Sequence, residues 1–186
     1  MPPSFLLRLL LAIGVLFLVF NVRAVASYVR FLRLRSGAVL TWPARRPPFY
    51  GLLLGMGVIL GLLVFFKIAV ERRPPLHAFG ELMMFAYSGY LLPLTLRIGR
   101  GFYQQGIWLE DGFVPYSEIG GLSWREQGEI TLLVVRRMKR LAHPLIVPKH
   151  HYGEARRLLR DRIASREINF DGGTLDLGGH DERDGV

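Results

Sequence analysis

The stretch "YGLLLGMGVILGLLVFFKIAV", residues 50–70, constrains this chain more than any other. It runs 21 residues with a single charge, Lys67, near its end. About 20 apolar residues in a helix are enough to cross the ~30 Å hydrocarbon core of a bilayer. Two more apolar runs flank it: "FLLRLLLAIGVLFLVFNV" at 5–22 and "LHAFGELMMFAYSGYLLPLTL" at 76–96. The sequence therefore predicts three transmembrane helices, at about 5–22, 50–70 and 76–96. The first has a rival reading as a signal peptide, with an Ala-x-Ala-like site at Ala24 and Ala26. Its long apolar run, its weak basic start and the intervening Arg23 favour an uncleaved span. The third is interrupted by Glu81 and Pro93. "ERRPP" at 71–75 is a tight connection, so the second and third helices form an antiparallel hairpin.

The charges give an orientation. The formal net charge is +9, and residues 23–49 carry Arg23, Arg30, Arg33, Arg35, Arg45 and Arg46 without one acid. Arg97 and Arg100 follow the third run. Positively charged loops stay cytoplasmic, which puts 23–49 and the C-terminal part inside, and the N-terminus and the 71–75 turn outside. The expected localisation is an inner membrane of bacterial type, crossed several times. Trp42 and Tyr50 suit interfacial anchors. Cysteine is absent, which excludes disulfides, thiolate nucleophiles and cysteine metal sites.

Residues 97–168 follow other rules. "GIWLE" alternates Ile107 and Leu109 with Trp108 and Glu110, as a half-buried strand does. Asp111-Gly112 is a turn. "FVPYSEI", "GLSWRE", "EITLLVV" and "HPLIV" read as further strands, with "RRMKR" a turn between the last two. From His150, Tyr152, Ala155, Leu159 and Ile163 recur at helical spacing. The fold class expected is a three-helix transmembrane bundle, residues 1–96, followed by a small α+β domain, residues 97–168. That domain is an antiparallel sheet capped by a C-terminal helix. Residues 169–186, rich in glycine and aspartate, read as a disordered tail.

The glycine-apolar strand Gly106-Ile107, the Tyr116, Glu118, Ile119 pattern and the closing strand, proline and helix resemble bacterial pleckstrin-homology-like domains. Such domains occur in small membrane proteins, after two or more helices. The resemblance covers about residues 98–166. It implies a curved antiparallel sheet with a C-terminal helix, an assembly, scaffolding or lipid-facing role, and no catalytic residues. The stretch is shorter than a full seven-stranded domain, which leaves the completeness of the sheet open.

Several clusters are candidate sites. Glu110, Asp111 and Glu118 could form an acid–base pair, but a turn aspartate bonding local backbone, a Glu110 on the polar face of its strand and a Glu118 accepting from nearby backbone amides explain them more simply. His143, His150, His151 and Glu154 lack the spacing of a zinc site. Lys67, His77 and Glu81 are intramembrane polar residues. They suit an ion pair that fixes helix packing, with a transport or catalytic role as the alternative. Gly51, Gly55, Gly57 and Gly61 give two GxxxG spacings for helix packing within the chain or between copies. Arg30, Arg33 and Arg35, and Arg136, Arg137, Lys139 and Arg140, are candidate contacts to anionic lipid headgroups.

No nucleotide-binding, hydrolase or kinase motif is present. The expectation is a non-enzymatic scaffold or assembly module without cofactor or metal. It would touch membrane lipids and either a protein partner or a second copy. The basic charge follows from membrane topology, so nucleic acid is not expected as a partner.

Overall fold

The computed structural model describes residues 3–126, 128–138, 141–168 and 170. The expected tail, apart from Phe170, and two of the basic-turn residues, Lys139 and Arg140, lie outside them. The chain divides into two compact units, Met1–Ser36 with Pro43–Gly99, and Gly37–Trp42 with Arg100–Val186.

The first unit is helical. α1 (Pro3–Leu34) is one helix of 32 residues. Between Gly14 and Gly37 there is neither glycine nor proline, so nothing stops the helix where the apolar run ends. Much of the expected basic loop is therefore helix. α2 (Tyr50–Phe65) continues into a wide π turn, Phe66–Val70, where the Glu71 N–H donates to the Phe66 carbonyl. Pro74 and Pro75 then end it.

The third apolar run forms α3 (Phe79–Phe85), a second π turn (Ala86–Leu91) and α4 (Leu92–Thr95). Among the described residues two helices, Arg8–Gly37 and Tyr50–Val70, are long and apolar enough to cross a membrane, rather than the three expected. The third run is broken for a physical reason. Pro93 has no N–H to donate, and its ring crowds the carbonyl four residues earlier, so the preceding turn widens.

α3 packs against both α1 and α2. The approach to α1 is close: a Cβ on Gly80 would lie 2.4 Å from the Leu10 carbonyl oxygen. The outer face of α2 is apolar and uncovered, with Leu52, Val58, Leu62 and Phe65 all more than half exposed.

The second unit is a β-domain whose first strand comes from before α2. β1 (Ala38–Trp42), β2 (Arg100–Tyr103), β3 (Gly106–Leu109) and β4 (Gly112–Pro115) form an antiparallel sheet in that order. β5 (Ile119–Arg125), β6 (Thr131–Arg136) and β7 (Ala142–Ile146) form a second. α5 (Tyr152–Ala164) closes the unit. The observed fold is thus helices, then antiparallel sheets, then a C-terminal helix, an α+β arrangement.

β1 forms because "AVLTW" alternates: Leu40 and Trp42 are buried, while Val39 and Thr41 are exposed. It pairs with β2 from Ala38↔Tyr103 to Trp42↔Arg100, with a bulge near its start. Gly101 permits this. Its φ is +126°, and a Cβ there would lie 2.2 Å from the Leu40 carbonyl oxygen.

The core joins Leu40, Trp42, Phe102, Ile107 and Val114 of the first sheet to Leu132, Val134 and Leu145 of the second. Ala155 and Leu159 of α5 complete it. Trp42 is therefore a core residue of the β-domain rather than the interfacial anchor expected from its position. β3 is also corrected. It is buried on both faces, because Trp108 packs with Tyr103 and Phe113 on the second face, at centroid distances of 6.0 and 5.5 Å.

Candidate functional site

The helical unit holds the least ordinary polar groups. Lys67 lies in the π turn that ends α2, and Glu81 lies in the first turn of α3. The short Glu71–Ala78 connection brings them together, and Nζ of Lys67 donates to Oε1 of Glu81. Glu81 is 6% exposed, and its Oε2 is buried without a hydrogen-bond partner. A buried carboxylate with one satisfied oxygen is held by its cation, and the free oxygen carries an uncompensated desolvation cost. The expected Lys67–Glu81 pair is present. His77 is exposed, and its backbone N–H donates to the Pro74 carbonyl at 2.9 Å.

Two further buried polar residues went unremarked in the sequence. Asn21 of α1, 7% exposed, donates through Nδ2 to the Met83 carbonyl at 3.1 Å. Ser88 donates to the Met84 carbonyl at 2.7 Å. A lone asparagine in an apolar run is the signal that could have found the first, since in such a run an amide needs a partner.

The four glycines of α2 separate into two pairs. Gly57 meets the backbone of Gly89, and Gly61 meets the ring of Phe85. Gly51 and Gly55 have nothing within 4 Å of where a Cβ would stand. One GxxxG spacing packs within the chain and the other does not.

The basic residues are dispersed. Arg30 and Arg33 stand exposed on the last turns of α1, and Arg35 is exposed just beyond. Arg137 is exposed in the β6–β7 turn. Arg136 turns back, and its Nη2 donates to the Phe113 carbonyl at 3.2 Å, so part of that guanidinium braces the β-domain. Met138, next in the turn, is 94% exposed.

The carboxylates of 106–124 do not converge. Where a bond to local backbone was expected, Oδ2 of Asp111 lies 2.9 Å from Nδ1 of His143 in β7. Glu110 faces Arg100 of β2 at 3.4 Å. Burial pulls the Arg100 pKa down, and the Glu110 charge opposes that pull. Glu118 is exposed.

The three histidines do not converge: His143 pairs with Asp111, while His150 and His151 lie together at the start of α5. His151 stacks on Trp42 with centroids 5.8 Å apart, and the His150 and His151 rings lie 4.1 Å from each other. Among the described residues, no group of three or more His, Asp or Glu side chains could hold a metal ion.

Two tyrosines complete the β-domain. Tyr116 donates to the Tyr103 carbonyl at 2.9 Å and carries Arg162 over its ring at 5.3 Å. Burial raises the Tyr103 and Tyr116 hydroxyls to about 12.

Comparison with protein-family models, with curated proteins and with solved structures found no match to this chain.

Proposed function

We propose that the chain is an integral membrane protein whose helical unit anchors a pleckstrin-homology-like β-domain. Its role would be that of a non-enzymatic scaffold or assembly module at an anionic membrane surface. The observation that carries the membrane reading is the uncovered apolar face of α2, on a helix long and apolar enough to span, and the β1–β2 pairing then constrains the topology. Residues 38–42 and 100–103 are hydrogen-bonded neighbours, yet the apolar hairpin lies between them in the chain. A hairpin whose two ends meet in one sheet must start and finish on the same side of a bilayer, so it crosses an even number of times. On this reading Tyr50–Val70 crosses outward and the broken run 79–95, which is not among the helices long and apolar enough to span, has to return the chain to the same side, while α1 supplies a separate crossing. An uncovered apolar face such as that of α2 is stable only against lipid or protein.

Sheets of four and three strands with a closing helix support the pleckstrin-homology-like resemblance. β1 supplies the strand that residues 98–166 lack. Exposed Arg30, Arg33 and Arg35 support contact with anionic headgroups, each worth about 1 kcal/mol near such a surface. On the positive-inside pattern the β-domain is cytoplasmic.

A second reading is favoured by one observation, the unpartnered Oε2 of Glu81. A buried ion pair with a spare acceptor suits a proton or cation path in a transporter component.

Reporters of membrane side inserted at residues 45, 73 and 168 test the anchor. The expected pattern puts 45 and 168 together and 73 opposite; 45 and 168 on different sides would overturn it. Native mass spectrometry of the purified protein tests lipid contact. Retained anionic lipid should fall when Arg30, Arg33 and Arg35 become alanine, and unchanged retention counts against it. Proton or cation flux in proteoliposomes that disappears in Glu81→Gln would favour the transporter reading.

A further inference from the structure

The β-domain carries a groove of about 480 Å³ whose walls include Leu122 and Trp124 of β5 and Ile163 of α5. The chain itself runs into this groove. Ile168 is buried in the core just past the end of α5, and Phe170, two residues on, is part of the groove wall. Ile163 and Phe170 are 39% and 43% exposed, so apolar surface lies open at the point from which the next residues depart.

The sequence beyond Phe170 matches that surface. Among residues 171–186 only Leu175, Leu177 and Val186 are apolar. In an extended segment, residues two apart share a face, so Leu175 and Leu177 would point one way and Asp176 the other. Gly172 and Gly173 stand just before them, and glycine lets a chain reverse without steric cost. The reach suffices. From Arg156 to Ile163 α5 rises about 10 Å, and residues 171–177 can extend up to about 23 Å.

The charges match as well. Residues 171–186 hold five carboxylates and one arginine, Arg183. The groove has Arg156 and Arg160 on its helix side. Arg156 is engaged, its Nη1 donating to the Tyr152 hydroxyl at 3.1 Å, whereas Arg160 is exposed.

From this match we infer that the groove is the docking site of the chain's own residues 174–177. Leu175 and Leu177 cover the open apolar surface at Ile163 and Phe170, and Asp176 pairs with Arg160. The contact is made by side chains and requires no strand pairing. The tether holds the segment at an effective concentration on the order of millimolar, so two leucines and one ion pair keep it in place. Docked, it excludes other occupants from the groove and neutralises part of the cationic face of α5. The inference goes beyond the headgroup contacts above and does not depend on them.

The chain has no cysteine, so a single one can be introduced as a label site. The test uses the full chain in nanodiscs, carrying fluorotryptophan and a nitroxide on Gly178→Cys. Trp124 lines the groove, while Trp108 is buried on the far face of β3 and serves as the internal control. Trp124→Phe assigns the groove resonance. The nitroxide is expected to erase the Trp124 fluorine line, to spare that of Trp108, and to give the lost line back on chemical reduction. A Trp124 line that the nitroxide leaves untouched would overturn the docking. Leu175→Ser with Leu177→Ser should restore the line; if it stays erased, the tether alone brings the label near and the docking is refuted. Arg160→Glu should restore it too, and adding Asp176→Arg should erase it again. An Arg160→Glu chain that behaves as the parent overturns the ion pair. Fluorinated chains without a nitroxide, mixed in detergent with nitroxide-bearing chains without fluorine, should keep the Trp124 line. Its loss there would assign the groove to a second copy.

Discussion

Trp42 packs against Phe102, ring centroids 6.3 Å apart and planes inclined at 62°, although the whole apolar hairpin separates them in the chain. The same indole stacks on His151 at the start of α5. One residue upstream of the hairpin thus touches a strand, β2, and a helix start that both lie downstream of it.

Removing that indole should be costly. Trp42→Ala is expected to destabilise the β-domain by about 3–5 kcal/mol, the usual range for a buried aromatic. Amide hydrogen exchange of the full chain, read at β2 and β3, measures it. A chain limited to residues 97–168 should fail to fold, because β2 loses one of its two partners and the core loses Leu40 and Trp42. Residues 37–42 joined through a flexible linker to 100–168 should restore a cooperative transition.

The Lys67–Glu81 pair should behave asymmetrically. Breaking a buried pair from one side leaves the other charge uncompensated, at about 3–5 kcal/mol. Lys67→Met and Glu81→Leu singly are therefore expected to lower resistance to unfolding in detergent. The double variant should recover most of the loss, since two apolar side chains leave no stranded charge. A double variant worse than either single one would contradict this account.

The two GxxxG spacings make opposite predictions. A Cβ on Gly57 would stand 3.1 Å from the Gly89 backbone nitrogen, so Gly57→Leu should push the helices apart and cost about 1–3 kcal/mol. Gly55→Leu meets open space and should stay within about 0.5 kcal/mol of the parent. Thermal unfolding in one detergent compares them directly.

Alkaline stability should fall in a defined window. Tyr103 and Tyr116 hold their protons to about 12 when folded, against 10.0 ordinarily. Between those values the unfolded chain releases protons that the folded chain keeps, so stability is full below 10 and declines as pH rises towards 12. Tyrosinate absorbance should show a late phase that coincides with loss of β-sheet circular dichroism. A single phase at the ordinary value would contradict the burial of both rings.

Much of the β-domain was legible as pattern. β3 to β7 and α5 fall where alternation, the Asp111-Gly112 turn and helical spacing place them. β1 was equally readable, since "AVLTW" alternates cleanly, but it sits among six arginines and reads there as a charged loop. Charge said which side of a membrane the segment favours; it did not say whether the segment was structured. β2 was hidden by Gly101, Gln104 and Gln105, which look like a loop until the close approach of β1 explains the glycine. In the candidate site, the Lys67–Glu81 pair followed from their placement at the two ends of a short turn. Asp111–His143 could not follow, because it joins positions 32 residues apart through the fold of two sheets.

The split strand also sets a clock on synthesis. β1 leaves the ribosome about sixty residues ahead of β2, which at ~5–20 residues per second is several seconds with Leu40 and Trp42 uncovered. On the membrane reading, the hairpin must go into the bilayer and come back during that interval. If it inserts wrongly, β1 and β2 emerge in different compartments and the domain cannot close. The domain's folding is then a proofreading step for the anchor: only correctly threaded copies acquire a folded head, and the rest expose an unpaired strand for quality-control proteases to find.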